Sequence, residues 1–225
     1  MSVLLSTVCW GSTDRAPAPA QAEEPLGTQV TVRLADYFYP LQTGNQWVFS
    51  VRDPFGSWVE TLSVGTRVPL FAGSEPLGEA YQLYGVADGG FWSDTWNDYW
   101  DLSAIGELES YGFDATGMEV RFSPPMTMPA QMAFGPVYTT VARTFLDGLD
   151  TGYQATWKIR LLGLTRLTVP AGTFDDVLVL GLFTDILAER DLAIFWLARG
   201  VGLVKSVSLT DSKSRVLSSY SVNGP

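Results

Sequence analysis

The chain has 225 residues, of which 46% are hydrophobic and 13% aromatic, and it contains no histidine and one cysteine. This composition can fill a core, and its aromatic content favours β-structure. The net charge of −10 argues against sequence-independent binding of nucleic acid and against docking on anionic lipid head groups. The lack of histidine removes the commonest general base and metal ligand, and a single cysteine excludes a disulfide framework within the chain.

The N-terminal residues resemble a bacterial lipoprotein signal. In MSVLLSTVCWGS, Cys9 follows a short apolar run and precedes small and polar residues, which is the pattern of a cysteine that is lipidated after cleavage. No Lys or Arg precedes the apolar run, and Val8 is bulkier than the residue usual at that position. The alternative is an ordinary cysteine in an N-terminal leader. No other segment approaches the roughly 18 apolar residues of a membrane span, so we expect membrane contact only through an anchor at Cys9.

A Pro- and Ala-rich stretch separates this segment from the rest of the chain. Residues 13–27 have no apolar period and are typical of a linker. We therefore predict a leader and linker over residues 1–27 and a single β domain over residues 28–225.

Strand signals then follow one another to the end of the chain. The predicted strands cover residues 28–34, 46–51, 58–64, 80–87, 118–122, 139–146, 153–169, 201–209 and 215–222. Turn residues between them, such as Asp53-Pro54-Phe55-Gly56, indicate hairpins. A short helix is expected at most over residues 187–192. The predicted fold is mainly β: an antiparallel curled sheet, half-barrel or sandwich, with little helix.

The stretch LTVPAGTFDDVLVL, residues 167–180, predicts a strand, a fixed turn and a second strand. Pro170 ends the first run and Gly172 gives the turn its backbone freedom. The apolar run at residues 177–180 has no polar face and is expected to be buried on both sides. No partner in the sequence gives Asp175 or Asp176 a chemical role, so we interpret the stretch as a marker of the fold.

Residues 153–161 alternate between apolar and polar side chains, which predicts one face in the core and one in water. The alternation ends at Leu162, and Gly163 follows directly, so we expect a bend or bulge there.

The stretch FWSDTWNDYWDL, residues 91–102, contains the candidate ligand-binding residues Trp92, Asp94, Trp96, Asp98 and Trp100. As a helix it would present a stripe of indoles with the acids roughly opposite. As a strand it would place all five residues on one face, forming an indole platform with carboxylates between the rings. The third interpretation is that the indoles fill the core or a barrel mouth while the acids are solvated.

Other chemistry is weakly indicated. Asp94, Asn97, Asp98 and Asp101 are hard oxygen donors, but they lack the spacing and glycine of an EF-hand loop. The sequence contains no G-x-S-x-G, P-loop or dinucleotide motif, and spacing selects no carboxylate pair. We predict no catalytic residue, no metal site and no cofactor.

Three stretches together resemble a group of uncharacterised bacterial cell-envelope lipoproteins. They are DYFYPLQTGNQWVFSV, LTVPAGTFDDVLVL and FWLARGVGLVKS, and they match the family pattern YPLxxGNxW, TVPAGTF and GVGLVKS in order. Arg199 departs from the proline usual before Gly200. The resemblance implies a curled antiparallel sheet in the style of periplasmic lipid-carrier half-barrels, a periplasmic or outer-surface location, and no established catalytic residues.

The leading hypothesis is a non-enzymatic envelope domain that binds an apolar ligand or a protein partner. A ligand would require an apolar cavity lined by residues such as Trp157, Ile159, Phe183 and Trp196. The first alternative is a structural or assembly module that uses an exposed strand edge. The second is a carbohydrate-binding surface at residues 91–101.

Overall fold

The computed structural model describes residues 31–223, and these are almost entirely β-strand. The strands are β1 Thr31–Arg33, β2 Gln46–Asp53, β3 Gly56–Ala72, β4 Glu75–Asp88, β5 Ser93–Leu102, β6 Leu108–Ala115, β7 Met118–Met128, β8 Gln131–Ala133, β9 Val137–Leu146, β10 Leu149–Val169, β11 Gly172–Ile186, β12 Glu189–Ala198, β13 Gly202–Ser208 and β14 Ser214–Ser221. A 3-10 turn at Leu34–Asp36 is the one helical element in this part of the chain. No helix within residues 31–223 has the length and hydropathy to span a bilayer. The predicted leader, with Cys9, lies outside the described residues.

Twelve antiparallel strands form a closed barrel. Most pair with their neighbours in the chain, but β7 pairs with β9 because β8 leaves the barrel to pair with β1. The barrel closes where β14 pairs with β2. The prediction of an antiparallel, mainly β fold is confirmed, but the sheet closes completely instead of stopping at a half-barrel or forming a sandwich. Hairpin signals describe only neighbouring strands, and closure depends on whether the first and last strands meet.

The glycine-marked hairpin at residues 167–180 forms as predicted. β10 ends at Val169, and β11 begins at Gly172 after a turn at Pro170 and Ala171. Val177, Leu178 and Leu180 are buried, as expected for the apolar run, and Val179 is half-buried. The predicted irregularity in the long strand is also present, because the register between β10 and β11 shifts between Leu161 and Gly163.

Two local predictions were wrong. The strand that begins at Met118 does not stop at Pro124-Pro125. It continues to Met128, because the prolines fall in an interruption of the ladder to β6 and beyond the last pair of the ladder to β9, so no N–H is required there. Residues 187–192 form no helix. Leu187 and Ala188 make a tight turn with φ of 53° and 65°, and β12 follows directly.

The three stretches that carry the family resemblance meet at one end of the barrel. The Tyr37 hydroxyl donates to Asp176 Oδ1 at 2.7 Å, and Arg199 Nε donates to Asp176 Oδ2 at 2.7 Å. Arg199 also donates to Asp36 Oδ2 at 2.8 Å, and Gly200 N donates to the Asp36 carbonyl at 2.8 Å. Hydrogen bonding by Arg199 keeps the pKa of Asp176 below its usual value. Asp176 therefore ties the N-terminal segment, residues 31–45, to the β12–β13 turn, a structural role that agrees with the interpretation of the stretch as a marker of the fold.

A second, smaller core lies outside the barrel. It consists of Leu70, Ala80, Tyr99 and Tyr111, so that the distal half of the β3–β4 hairpin packs against β5 and β6. Arg121 is buried beside this core, with its guanidinium 4.6 Å from the Tyr99 ring centroid. This outer layer covers part of the outside of the barrel wall. The larger buried cluster of the protein lies inside the barrel.

Candidate ligand site in the barrel lumen

A mainly apolar cavity of about 200 Å³ lies inside the barrel. An apolar cavity of about 150 Å³ is large enough for benzene, so this one has room for a single ring with a short substituent, or a short branched chain. Leucines from β3, β4, β11, β12 and β13 contribute to its wall. The aromatic part of the wall consists of Phe38, Tyr39, Phe49, Trp96, Trp100, Trp157 and Phe195.

The indole-rich stretch forms strand β5, and its alternation places one face toward this cavity. Trp96, Asp98 and Trp100 all line the cavity, as expected for residues two apart on a strand. The Trp100 ring centroid lies 4.7 Å from that of Phe38 and 5.7 Å from that of Trp157. The stretch is therefore a strand from Ser93 onward, as the second interpretation held, but its shared face points into the lumen, so Trp96 and Trp100 lie inside the barrel as the third interpretation placed them.

A glycine on the neighbouring strand makes room for one of these indoles. Gly85 on β4 pairs with Trp96 on β5, which puts the two on the same face. A Cβ atom at position 85 would overlap the indole ring of Trp96. The glycine therefore allows the ring to lie flat over the inner surface of β4.

A charged cluster forms the polar side of the cavity. Glu60 is 3% exposed, and its two oxygens lie 2.8 Å from Lys213 Nζ and 2.5 Å from Arg215 Nε. The indole N–H of Trp58 donates to Glu60 at 3.1 Å. Burial alone would raise the pKa of Glu60, but the charge of Arg215 and the hydrogen bond from Lys213 outweigh it and lower the pKa. The negative charge of Glu60 is therefore balanced by the two cations in contact with it.

Asp98 has a different environment. Burial raises the pKa of its carboxyl to about 6, even though the charge of Arg215 and the Trp96 side chain favour the ionised form, and Asp114 adds a smaller upward shift. Among residues 31–223, the cationic groups of Lys213 and Arg215 pair with Glu60, and no cation lies within 4 Å of Asp98. Asp98 thus presents a poorly solvated carboxylate to an aromatic cavity.

The indole N–H of Trp157, in the cavity wall, is also unused. Trp157 is 6% exposed, and its indole N–H has no hydrogen-bond partner within the described part of the chain. A buried donor without an acceptor costs about 1–3 kcal/mol. A ligand atom that accepts this hydrogen bond would recover part of that cost.

The remaining two residues of the predicted site lie elsewhere. Trp92 is 49% exposed, and its ring centroid lies 5.6 Å from that of Trp58. Asp94 is exposed and accepts a hydrogen bond from the backbone N–H of Thr95. Three of the five candidate residues therefore line the cavity, and two do not.

The predicted cavity lining was correct in part. Trp157 lines the cavity, and Ile159 is fully buried on the same face of β10. Phe183 and Trp196 were wrongly placed inside. Their inward neighbours are Leu182 and Phe195, and a strand turns alternate residues to opposite faces. On the outside, Lys158 lies 5.6 Å from the Phe183 ring and Lys205 lies 4.8 Å from the Trp196 ring.

Sequence reasoning missed Glu60 and Arg215, although one signal was available. In the predicted strand at residues 58–64, Glu60 shares a face with Trp58, Leu62 and Val64, so that an acid lies on the apolar face. A buried acid requires a partner. Arg215, which supplies it, is brought close only by the pairing of β14 with β2.

Strand β5 also separates the four oxygen donors considered for calcium. Asp94 and Asp98 belong to one face of the strand, and Asn97 and Asp101 belong to the opposite face. Asn97 instead accepts a hydrogen bond from Gln82, and Asp101 pairs with Arg67. Residues 31–223 contain no group of three acidic, Cys or His side chains suited to a metal ion.

The fold and the lumen define a closed antiparallel β-barrel with an interior cavity. No protein-family model matches the chain, and no curated protein matches it in sequence. Two solved structures are similar to it. One is a "putative lipoprotein" from Parabacteroides distasonis ATCC 8503, with a TM-score of 0.46 and 15% identity over 83% of this chain and 99% of that chain. The other is a "putative exported protein with YmcC-like fold" from Bacteroides fragilis NCTC 9343, with a TM-score of 0.46 and 12% identity over 83% of this chain and 100% of that chain.

Proposed function

We propose that the protein is a non-enzymatic binding protein of the bacterial cell envelope that holds a small, largely apolar molecule inside its barrel. The observation that carries this proposal is the cavity of about 200 Å³ with its aromatic wall. Ligand sites are typically concave and apolar, with a few polar groups that fix orientation. The unpaired N–H of Trp157 and the carboxylate of Asp98 are such groups.

The envelope location rests on the sequence. Cys9 in its lipoprotein-like context and the three family-like stretches support an exported and lipid-anchored chain. The proposed location is periplasmic or on the outer surface. Mass spectrometry of the natively expressed N-terminus tests the anchor, because lipidation adds a diacylglycerol mass at Cys9.

The alternatives have less support. Assembly by strand addition needs a free edge, and each of the twelve barrel strands among the described residues is paired on both sides, which leaves unpaired edges on the separate strands β1 and β8, each only three residues long. A carbohydrate surface at residues 91–101 needs outward-facing indoles, whereas Trp96 and Trp100 line the lumen. Lumen binding makes use of both the indoles and the cavity.

Benzyl alcohol is a suitable probe, because its ring fits the cavity and its hydroxyl can accept the Trp157 hydrogen bond. We expect isothermal titration calorimetry to detect binding to the wild-type protein. Leu182→Trp fills the cavity and is expected to weaken that binding by about tenfold or more, since overlap excludes the ligand. Phe183→Trp is the matched control: it introduces an indole one residue away, on the outer face, and is expected to leave binding unchanged. Equal binding by both variants would refute a site in the lumen.

A further inference from the structure

Asp98 has hydrogen-bonding capacity that the described protein does not use. An ionised carboxylate offers about four lone-pair sites. The neighbours that favour its charge are Arg215, through its positive charge, and the Trp96 side chain. Asp98 lines the cavity, so its remaining acceptor sites are available to a ligand.

The nearby cations do not neutralise Asp98 by contact. Lys213 and Arg215 both pair with Glu60, at 2.8 and 2.5 Å. The Arg215 guanidinium also lies over the Trp96 ring, 6.0 Å from its centroid. Asp98 is therefore the charged side chain of the cavity wall that lacks an ion-pair partner in contact with it, and its charge is negative.

The walls beside Asp98 suit a positive charge. Trp96 and Trp100 flank Asp98 on the same face of β5, and Tyr39 also lines the cavity. The faces of such rings attract a desolvated cation. A carboxylate surrounded by aromatic rings is a favourable environment for an ammonium group attached to an apolar body.

We propose that the lumen ligand is a small amine, with its ammonium group on Asp98 and its apolar body against Trp100 and Trp157. This inference rests on the proposed function, because it requires that the cavity binds a ligand. It adds the chemical class: a protonated amine is preferred over a neutral or anionic molecule of the same shape.

The test compares three probes of nearly identical shape: benzylamine, benzyl alcohol and benzoate. Calorimetry at about pH 8, where Asp98 with a pKa near 6 is ionised, is expected to show benzylamine binding about tenfold or more tightly than benzyl alcohol, because hydrogen bonds to charged groups are the stronger ones. Benzoate is expected to bind most weakly.

Two variants assign the preference to Asp98. Asp98→Asn is expected to remove the benzylamine advantage while benzyl alcohol still binds. Asp94→Asn is the matched control, because it removes an exposed acid from the same strand, and it is expected to keep the advantage.

The outcomes separate the two proposals. If benzyl alcohol binds but benzylamine has no advantage, or the advantage survives Asp98→Asn, the amine inference is wrong and lumen binding stands. Tightest binding of benzoate also overturns the amine inference, because it would assign recognition to Lys213 and Arg215. If none of the probes binds, lumen binding itself is refuted for ligands of this size.

Discussion

The two carboxylates of the lumen wall respond to burial in opposite ways. Glu60, held by Lys213 and Arg215, has a lowered pKa, whereas burial raises the pKa of Asp98 from 3.8 to about 6. The folded state therefore binds a proton on Asp98 more tightly than the unfolded state does. By linkage, the stability due to this group is complete below about pH 4 and is lost as the pH rises through about 6. Ionised Asp98 thus destabilises the fold.

Asp98→Asn is therefore expected to stabilise the protein at about pH 8, by on the order of 1–3 kcal/mol in the free energy of unfolding. At about pH 4 the gain should disappear, because Asp98 is then protonated in the folded state. Arg215, Glu60 and Asp114 face the group, and they remain unchanged in the variant. Urea titrations at both pH values provide the measurement, with Asp94→Asn as control. A variant that is less stable than the wild type at pH 8 would contradict the raised pKa.

At the scale of elements, the β4–β5 pair shapes the cavity. Trp96 occupies the space that a side chain at position 85 would take, and the register that aligns Gly85 with Trp96 fixes this arrangement. The indole in turn lies beside Asp98 and beneath Arg215. Gly85 therefore influences both the shape of the cavity wall and the surroundings of its charged residues, Asp98 and Arg215.

Gly85→Ala is expected to displace the Trp96 ring, to cost about 1–3 kcal/mol of unfolding free energy, and to weaken benzyl alcohol binding. Near-UV circular dichroism, urea titration and calorimetry measure these effects. Gly163→Ala is the matched control, because a Cβ there meets open space, and it should leave binding unchanged. Native binding and an unaltered aromatic spectrum in Gly85→Ala would show that the ring is not held by this contact.

The sequence predicted the elements that have local signals. It did not predict the features that depend on contacts between distant strands. Pro170 and Gly172 identified the β10–β11 hairpin, and Gly163 marked its bulge. The alternation of Trp96, Asp98 and Trp100 predicted a shared face, but not which side of the sheet it occupies. That side is fixed by Phe38 and Trp157, which come from remote parts of the chain. Barrel closure and the pairing of Glu60 with Arg215 likewise depend on strands that are far apart in the sequence.

At the scale of the whole molecule, the N-terminal segment and the barrel share one core. Leu34 and Tyr37 belong to the same buried cluster as β-strand residues from β2 to β14. Trp47 on β2 is fully buried and donates its indole N–H to the Val201 carbonyl at 2.7 Å. The segment therefore has no core of its own and should unfold together with the barrel.

Trp47→Phe removes this hydrogen bond and leaves the Val201 carbonyl without its indole donor. We expect a loss of about 1–3 kcal/mol in unfolding free energy. Tryptophan fluorescence and far-UV circular dichroism should still report a single urea transition. Trp92→Phe is the control, since Trp92 is half exposed, and it should shift stability by less than about 0.5 kcal/mol. Separate transitions by the two probes would indicate that segment and barrel unfold independently.

The pairing of β14 with β2 has a consequence for the order of folding. It joins Gln46 to Ser221 and Arg52 to Ser214, so the barrel cannot close until nearly the whole described chain is available. Contacts this distant in sequence carry a large loop-closure entropy and slow the folding reaction. Until closure, β2 and β14 each expose one unpaired edge, which can pair with other chains. The nascent chain therefore remains open, and prone to aggregation, until β14 has been synthesised, and this strand completes the wall that encloses the cavity.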